Sequence, residues 1–127
     1  MTKKAECLTA VARLLSQYSD AELQRMSTQE VYDTFLPLKG IGRWSLQYWL
    51  THCFGRPVMF SEDRLTQDGL KAILLLDKRP SAKKVEALCR ERWGDLAWIG
   101  AGIALNLGGC LRHKILTPAD IERTHLQ

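Results

Sequence analysis

Helical periodicity runs through this sequence and constrains its fold more than any other feature. From residue 4 to residue 18, the apolar side chains recur on one face of a helix. Ser19 and Ser27 each precede a glutamate by three residues, a spacing that is the capping-box signature of a helix N-terminus. Because no segment alternates polar and apolar residues over a useful length, no strand is expected. The sequence predicts an all-α fold.

Helix signals continue through the second half of the chain. Serines and a Thr-Pro pair mark the expected helix starts, and a glycine and a Lys-Arg-Pro segment mark expected ends. No repeat or low-complexity linker divides the 127 residues, so a single domain over residues 1–127 is expected. The expected later helices run from Ser61 to about Leu76, from Ser81 to about Trp93, from about Ala97 to about Leu111, and from Pro118 onward.

The bulk composition limits the classes of function. The net charge is +4 and the chain has no basic tail, so any affinity for a polyanion must come from a folded surface. The four cysteines lack metal-ligand spacing, and reduced thiols are expected. The most apolar stretch, residues 96–111, is shorter than a membrane span. We therefore expect a cytoplasmic protein that does not enter a membrane.

Residues 36–50 predict two helices joined by a tight hairpin. Gly40 and Gly42 suit a turn that needs positive φ and lets another backbone approach closely. The second helix, expected to start at Gly42, would offer unpaired N–H groups and the positive end of its dipole to a phosphate. Taken alone, the two glycines are also typical of a purely structural turn. The residues expected to contact DNA backbone are Lys39, Gly40, Ile41, Gly42 and Arg43.

Two large aromatic residues stand off the core face of the second hairpin helix. Trp44 and Tyr48 are four residues apart and therefore share one face, opposite the apolar stripe. Exposed rings are costly unless something covers them. The rings could form a stacking wall for a nucleobase, or another helix of the same domain could cover them.

A Gly/Pro-containing loop within residues 54–64 leads to Asp63 at the start of the next helix. Acidic residues are common in a first helical turn for structural reasons alone. A fixed carboxylate there also suits a group that stabilises a cationic transition state or activates water. Cleavage of an N-glycosidic bond passes through an oxocarbenium-like sugar, so it requires at least one such carboxylate.

Together these segments resemble the helix-hairpin-helix, Gly/Pro-Asp superfamily of DNA glycosylases, and especially its bacterial inducible 3-methyladenine type. The resemblance extends over nearly the whole chain, and its most specific block runs from Gly40 to Asp63. The matching segments are Leu38 to Ser45, Tyr48, Gly55-Arg56-Pro57 and Asp63, with a weaker match at Glu91-Arg92-Trp93.

The resemblance implies a role for each matching residue. Asp63 matches the catalytic aspartate, and Trp44 and Tyr48 match aromatic residues that line the base pocket. Trp44 also stands where bifunctional relatives carry a lysine that attacks the sugar, so a monofunctional enzyme that uses water is implied. Such enzymes flip the damaged base out of double-stranded DNA, here at the bacterial nucleoid.

The resemblance also implies a cation site and no catalytic cofactor. In relatives, main-chain carbonyl groups of the hairpin hold a monovalent cation, which would be Na⁺ or K⁺. The matching carbonyl groups belong to Leu36, Leu38 and Ile41.

Two departures from the family pattern bear on catalysis. Family domains have further helices before the one that opens this chain, and Met1 begins too late to supply them. A second copy of the chain could cover the apolar surface left behind, so a homodimer or domain-swapped dimer is expected. The Trp-Arg segment of relatives reads Gly94 to Trp98 here, so whether Trp98 replaces the pocket tryptophan stays open.

Three functions therefore compete. The favoured one is a monofunctional DNA glycosylase that removes alkylated purines in base excision repair. The alternative is a non-catalytic DNA-binding module, a truncated remnant of such an enzyme. In a third, the chain is a helical interaction protein in which Gly40 to Gly42 form only a turn.

Overall fold

The structure is a computed structural model whose described part runs from residue 2 to residue 125. Met1, Leu126 and Gln127 lie outside it. The expectation that the chain begins too late, at Met1, to supply the family's first helices therefore falls outside the described residues. Between residues 2 and 125 every regular element is helical, which confirms the all-α prediction. The elements are α1 (Lys3–Leu15), α2 (Asp20–Arg25), α3 (Thr28–Phe35), α4 (Arg43–Phe54), α5 (Arg64–Ile73), α6 (Ala82–Trp93), a 3-10 turn (Gly94–Leu96), α7 (Ala97–Arg112) and α8 (Pro118–His125).

The chain divides into two compact units, which we call unit 1 (residues 1–56) and unit 2 (residues 57–127). Unit 1 contains α1 to α4, and unit 2 contains α5 to α8. The single domain expected over residues 1–127 stays a prediction.

Unit 1 buries apolar residues of α2, α3 and α4, and Val31 and Leu50 are fully buried. A chain of rings links the two hairpin helices. Phe35 meets Trp49 edge-on with centroids 5.3 Å apart, and Trp49 meets Phe54 edge-on at 4.9 Å. Such edge-to-face pairs add to the stability that burial alone provides. Helix α1 buries no residue fully.

Both predicted capping boxes in unit 1 are present, at the N-termini of α2 and α3. The Ser19 backbone N–H donates to the Glu22 carboxylate at 2.7 Å, and the Glu22 N–H donates back to the Ser19 hydroxyl. The bond from the Ser19 N–H, together with one from the Ser19 hydroxyl to the same carboxylate, holds the pKa of Glu22 below its ordinary value. The equivalent bonds from Ser27 lower the pKa of Glu30. Local sequence therefore fixes both helix starts.

Unit 2 is organised by a very close crossing of α5 and α7. A Cβ atom placed on Gly69 would lie 1.8 Å from the Ala104 carbonyl oxygen, and one on Gly108 would lie 1.9 Å from the Leu65 carbonyl oxygen. Only glycine therefore allows this approach of the two backbones. The core beside the crossing consists of Leu70, Val85, Cys89, Ala97, Ala101 and Ala104. Burial raises the pKa of the Cys89 thiol.

Several expectations from the sequence need correction. The N-cap of α5 is Asp63 rather than Ser61, and α5 ends at Ile73 rather than near Leu76. An apolar stripe that includes Cys53 was expected against the core in α4, but Cys53 is exposed and Gln47 is buried. In α1, whose apolar side chains were expected to share one inner face, Leu8 is 70% exposed. The expected dimer that would cover such surface stays a prediction.

By length and composition alone, residues 82–112 form a helical stretch that could cross a membrane. The stretch is interrupted at Gly94, where φ is +54° and α6 ends. Beyond this break, α7 buries a face of small residues, among them Gly100 and Ala104. Helix α7 thus has the features of a core helix, as the sequence predicted.

Candidate nucleic-acid interface and catalytic carboxylate

The hairpin turn of unit 1 depends on a backbone conformation that glycine favours. Gly40 has φ of +96°, and the turn is closed by a 3.0 Å hydrogen bond from the Ile41 N–H to the Leu38 carbonyl. A Cβ atom on Gly40 would also lie 3.0 Å from the Cys7 sulfur of α1. The predicted need for positive φ is confirmed at this position.

Gly42 differs from Gly40 in every respect. Any residue can adopt its φ of −113°, so the predicted need for positive φ is wrong here. Gly42 is the N-cap of α4, and the helix starts at Arg43 rather than at Gly42 as expected. A Cβ atom on Gly42 would meet no atom within 4 Å. Within residues 2–125, no side chain caps α4. An uncapped helix start beside open space suits the close approach of an anion from another molecule.

The two basic residues of the turn are placed differently. Lys39 is exposed and lies in the turn itself. The Arg43 guanidinium lies over the ring of buried Tyr32, 4.6 Å from its centroid. This contact orients the Arg43 side chain at the first position of α4 while it remains exposed.

The proposed cation ligands lie on either side of the same turn. A monovalent cation is bound by oxygen atoms, so main-chain carbonyl groups form a chemically suitable donor set. The Leu38 carbonyl already accepts the Ile41 N–H, and a carbonyl oxygen has a second lone pair. The cation site at Leu36, Leu38 and Ile41 therefore fits the chemistry of these residues and stays a prediction.

The exposed face of α4 carries three stacked rings, which we call the α4 ring stack (Trp44, Tyr48 and His52). Trp44 and Tyr48 are 47% and 45% exposed, so both stand off the core as predicted. Their rings are stacked with centroids 5.3 Å apart, and Tyr48 stacks on His52 at 3.9 Å. The His52 ring nitrogen Nδ1 lies 3.0 Å from the Tyr48 carbonyl oxygen. Sequence reasoning missed His52, although the i, i+4, i+8 spacing was there to find it.

Asp63 lies in unit 2 as the N-cap of α5. Its Oδ1 atom accepts the Leu65 N–H at 2.7 Å, and its side chain is partly exposed. One carboxylate oxygen is thus held in place by the helix, which also favours a negative charge at this end. A fixed, partly exposed carboxylate can stabilise a developing positive charge or accept a proton from water.

The turn before Asp63 is clamped by residues of two helices, and the sequence analysis did not predict these contacts. The Asp63 N–H donates to the Phe60 carbonyl at 3.1 Å. The Gln67 amide of α5 donates to the Ser61 carbonyl, and the buried Ser61 hydroxyl donates to Glu86 of α6 at 2.9 Å. The backbone that carries Asp63 is therefore held by contacts with residues of α5 and α6.

Arg56, which belongs to the Gly/Pro motif, has a structural role within unit 1. Its guanidinium donates to the Gln24 carbonyl at 3.1 Å and to the Met26 carbonyl. Gln24 belongs to the last turn of α2 and Met26 is its C-cap, so Arg56 links the residues after α4 to the end of α2. The motif therefore does not by itself indicate a DNA contact at this arginine.

The structure brings the expected backbone-binding residues 39–43 together in one turn and stacks the two expected pocket rings on each other. Trp98, the other tryptophan considered for the pocket, is partly buried on α7. Among residues 2–125, no group of three or more His, Cys, Asp or Glu side chains could hold a metal ion.

Comparison with curated proteins finds similarity to two proteins whose names refer to a DNA glycosylase or a DNA glycosidase. Over 92 residues, 70% of this chain, it is 28% identical to the "Putative DNA-3-methyladenine glycosylase YfjP" of Bacillus subtilis (strain 168). Over 73 residues, 57% of this chain, it is 26% identical to the "Alkylbase DNA glycosidase-like protein mag2" of Schizosaccharomyces pombe (strain 972 / ATCC 24843). The matches cover 32% and 34% of those proteins, so the chain spans about a third of their length. No family model and no solved structure matches the chain.

Proposed function

We propose that this chain acts on double-stranded DNA as a monofunctional glycosylase of the helix-hairpin-helix, Gly/Pro-Asp type that removes alkylated purines. The observation that carries the proposal is the start of α4 at Gly42, where, within residues 2–125, no side chain caps the helix and a Cβ atom would meet nothing within 4 Å. A close approach by a phosphate of DNA backbone would fit this arrangement. The names of the two relatives support the same chemistry.

In this proposal the first turn of α4 binds a backbone phosphate through its N–H groups. Lys39 and Arg43 add positive charge beside it. Contacts to phosphate position the protein without reading sequence. Damage weakens base stacking and pairing, so a damaged base is the least costly to flip out of the duplex.

The chemical step assigned to Asp63 is hydrolysis of the N-glycosidic bond. As the bond from C1′ to the base breaks, its electron pair leaves with the base and the sugar gains positive charge. The Asp63 carboxylate stabilises that charge and accepts a proton from the attacking water. Water supplies the new C1′–oxygen bond, and the products are a free base and an abasic site.

The test is release of 3-methyladenine or 7-methylguanine from methylated duplex DNA. Wild type is expected to release base, and Asp63→Asn is expected to reduce the rate by at least about a hundredfold. Because asparagine is as good an N-cap as aspartate, the variant should keep the stability of wild type. Asp77→Asn, an exposed carboxylate of unit 2, is the matched control and should retain full activity. Equal activity of Asp63→Asn and wild type would overturn the catalytic assignment.

One observation favours the non-catalytic DNA-binding alternative. The ring of Tyr48 stacks on Trp44 and on His52 at interplanar angles of 24° and 13°. A base that stacked on Tyr48 would have to displace a neighbouring ring. Duplex binding by wild type without release of any damaged base above background would establish this alternative and overturn the enzyme.

A further inference from the structure

The net positive charge of this protein is concentrated in one segment. Residues 78–92 contain six basic and two acidic side chains and have a net charge of +4, which equals the net charge of the whole chain. The rest of the sequence is therefore neutral overall. The basic residues are Lys78, Arg79, Lys83, Lys84, Arg90 and Arg92, and the acidic ones are Glu86 and Glu91.

All six basic side chains are exposed. Arg79 pairs with Asp68 at 2.6 Å, and this partner raises the pKa of the arginine. The other five make no ion pair with any residue between 2 and 125. Glu86, which is exposed, accepts the Ser61 hydroxyl, and this hydrogen bond orients its carboxylate without removing its negative charge. We call the five unpaired residues the α6 basic surface (Lys78, Lys83, Lys84, Arg90 and Arg92).

Two of these charges work against the helix that carries them. Lys83 and Lys84 lie in the first turn of α6, where the helix dipole favours acidic residues, and that turn contains no acidic residue. Helix α1 also has two lysines in its first turn, but Glu6 accompanies them there. Charges kept at a cost to local stability are typical of binding sites.

Lys83 and Arg90 share the outward face of α6. They are seven residues apart and lie opposite the face that buries Val85 and Cys89. Glu86 lies between them on the same side, so this face carries two positive charges and one negative charge over about two helical turns.

We propose that the α6 basic surface is a second binding site for the phosphate backbone of DNA, separate from the hairpin. This proposal rests on the proposed DNA binding of the chain. The α6 basic surface gives unit 2 its own contact with the polyanion, so DNA binding does not depend on the hairpin alone. Flexible lysine and arginine side chains without ion pairs suit phosphates, and such contacts bind duplex regardless of sequence.

The test is the charge reversal Lys83→Glu/Lys84→Glu, with binding to an undamaged duplex followed by fluorescence anisotropy over a range of salt concentrations. Affinity at about 0.1 M salt is expected to fall about tenfold or more, and the slope of log affinity against log salt is expected to fall by roughly two. Glutamates complement the helix dipole in a first turn, so the melting temperature should equal or exceed that of wild type. Lys83→Gln/Lys84→Gln, which removes both charges without reversing them, should lower the salt slope by the same amount.

The matched control is Lys3→Glu/Lys4→Glu, which reverses two exposed consecutive lysines in the first turn of α1. It makes the same change in net charge and should leave the salt slope nearly unchanged. An equal loss in this control would show that affinity follows net charge alone and would overturn the proposal. Displacement of duplex by polyglutamate at equal charge concentration would also overturn it, in favour of an acidic protein partner.

Failure of this proposal differs from failure of the proposed function. If wild type binds duplex and the Lys83/Lys84 variants match it in affinity and slope, only the α6 basic surface is refuted. If wild type does not bind duplex, both proposals fall. If wild type binds duplex with the expected dependence on Lys83 and Lys84 but releases no base, the second binding site stands and the catalytic role falls.

Discussion

The hairpin of unit 1 and the α5–α7 crossing of unit 2 each contain a pair of glycines, but the glycines of the two pairs have different roles. At the crossing, Gly69 and Gly108 each leave room for a backbone carbonyl group of the facing helix. In the hairpin, Gly40 supplies a positive φ, whereas Gly42 has neither an unusual φ nor a close neighbour. The comparison separates glycines that the fold requires from one beside which space stays open to a partner.

The largest effect is expected at the crossing. Gly108→Ala would place Cβ 1.9 Å from the Leu65 carbonyl oxygen, so the helices must separate, at a cost of about 3 kcal/mol or more in the free energy of unfolding. The neighbouring Gly109→Ala is the matched control, because its Cβ meets nothing within 4 Å. Alanine is the better helix former, so Gly109→Ala should be neutral or stabilising. Denaturant unfolding that gives the two variants equal stability would contradict the comparison.

A smaller loss is expected at the hairpin turn. Gly40→Ala imposes a positive φ on alanine and brings Cβ to 3.0 Å from the Cys7 sulfur, so about 1–2 kcal/mol should be lost. The double variant Cys7→Ala/Gly40→Ala removes the contact with the sulfur, leaves the Cβ atom of residue 7 at 3.2 Å, and keeps the backbone strain. If the double variant is no less stable than Cys7→Ala alone, the steric contact and not φ dictates this glycine.

The clamp on the Asp63 turn should contribute about 1 kcal/mol. Ser61→Ala removes the buried hydroxyl that donates to Glu86, and the rate of base release should fall along with stability. Ser16→Ala removes an exposed hydroxyl that bonds only to its own helix, so it should change stability by less than about 0.5 kcal/mol. Unfolding curves and release rates measured on both variants test this. A rate for Ser61→Ala equal to that of wild type would show that Asp63 is positioned without the clamp.

The smallest change in stability, and the sharpest test of the comparison, is expected at Gly42. Gly42→Ser supplies α4 with the side-chain cap that it lacks, so stability should rise by a few tenths of a kcal/mol. The serine would also fill the open space and occupy an N–H group that a phosphate needs, so duplex affinity should fall. Anisotropy and thermal unfolding should therefore move in opposite directions. Unchanged affinity would remove the main support for a phosphate site at the hairpin.

The local parts of this fold could be predicted from the sequence, because the interactions that define them join residues no more than four positions apart. The capping boxes at Ser19 and Ser27, the Ser81 cap and the end of α6 at Gly94 all appear where the pattern predicted them. The start of α5 was predicted wrongly for the same local reason. Ser61 and Asp63 are both good N-cap residues, and the clamp from Gln67 and Glu86 holds Ser61 in the preceding turn.

For the candidate site, the sequence indicated the residue types and the tertiary structure decided their surroundings. The sequence placed Trp44 and Tyr48 off the core, but it did not reveal that His52 extends their stack. It showed Gly55-Arg56-Pro57 only as a segment that resembles the family, and it did not reveal that Arg56 makes structural contacts with the end of α2. Side-chain contacts between separate elements depend on packing, and helical periodicity carries no information about them.

By itself, the sequence determined the all-α fold, most of the helix boundaries and the total charge of the chain, since these follow from short-range hydrogen bonding, periodicity and composition. Only the tertiary structure decided which glycines are required inside the molecule, that Gly42 is not one of them, and that Asp63 caps α5 on a clamped turn. It also showed that the basic residues of segment 78–92 remain exposed and that, within residues 2–125, Arg79 alone among them forms an ion pair. The physical reason is that burial, close approach and ion pairing are properties of residues distant in sequence, which meet only after the helices have packed.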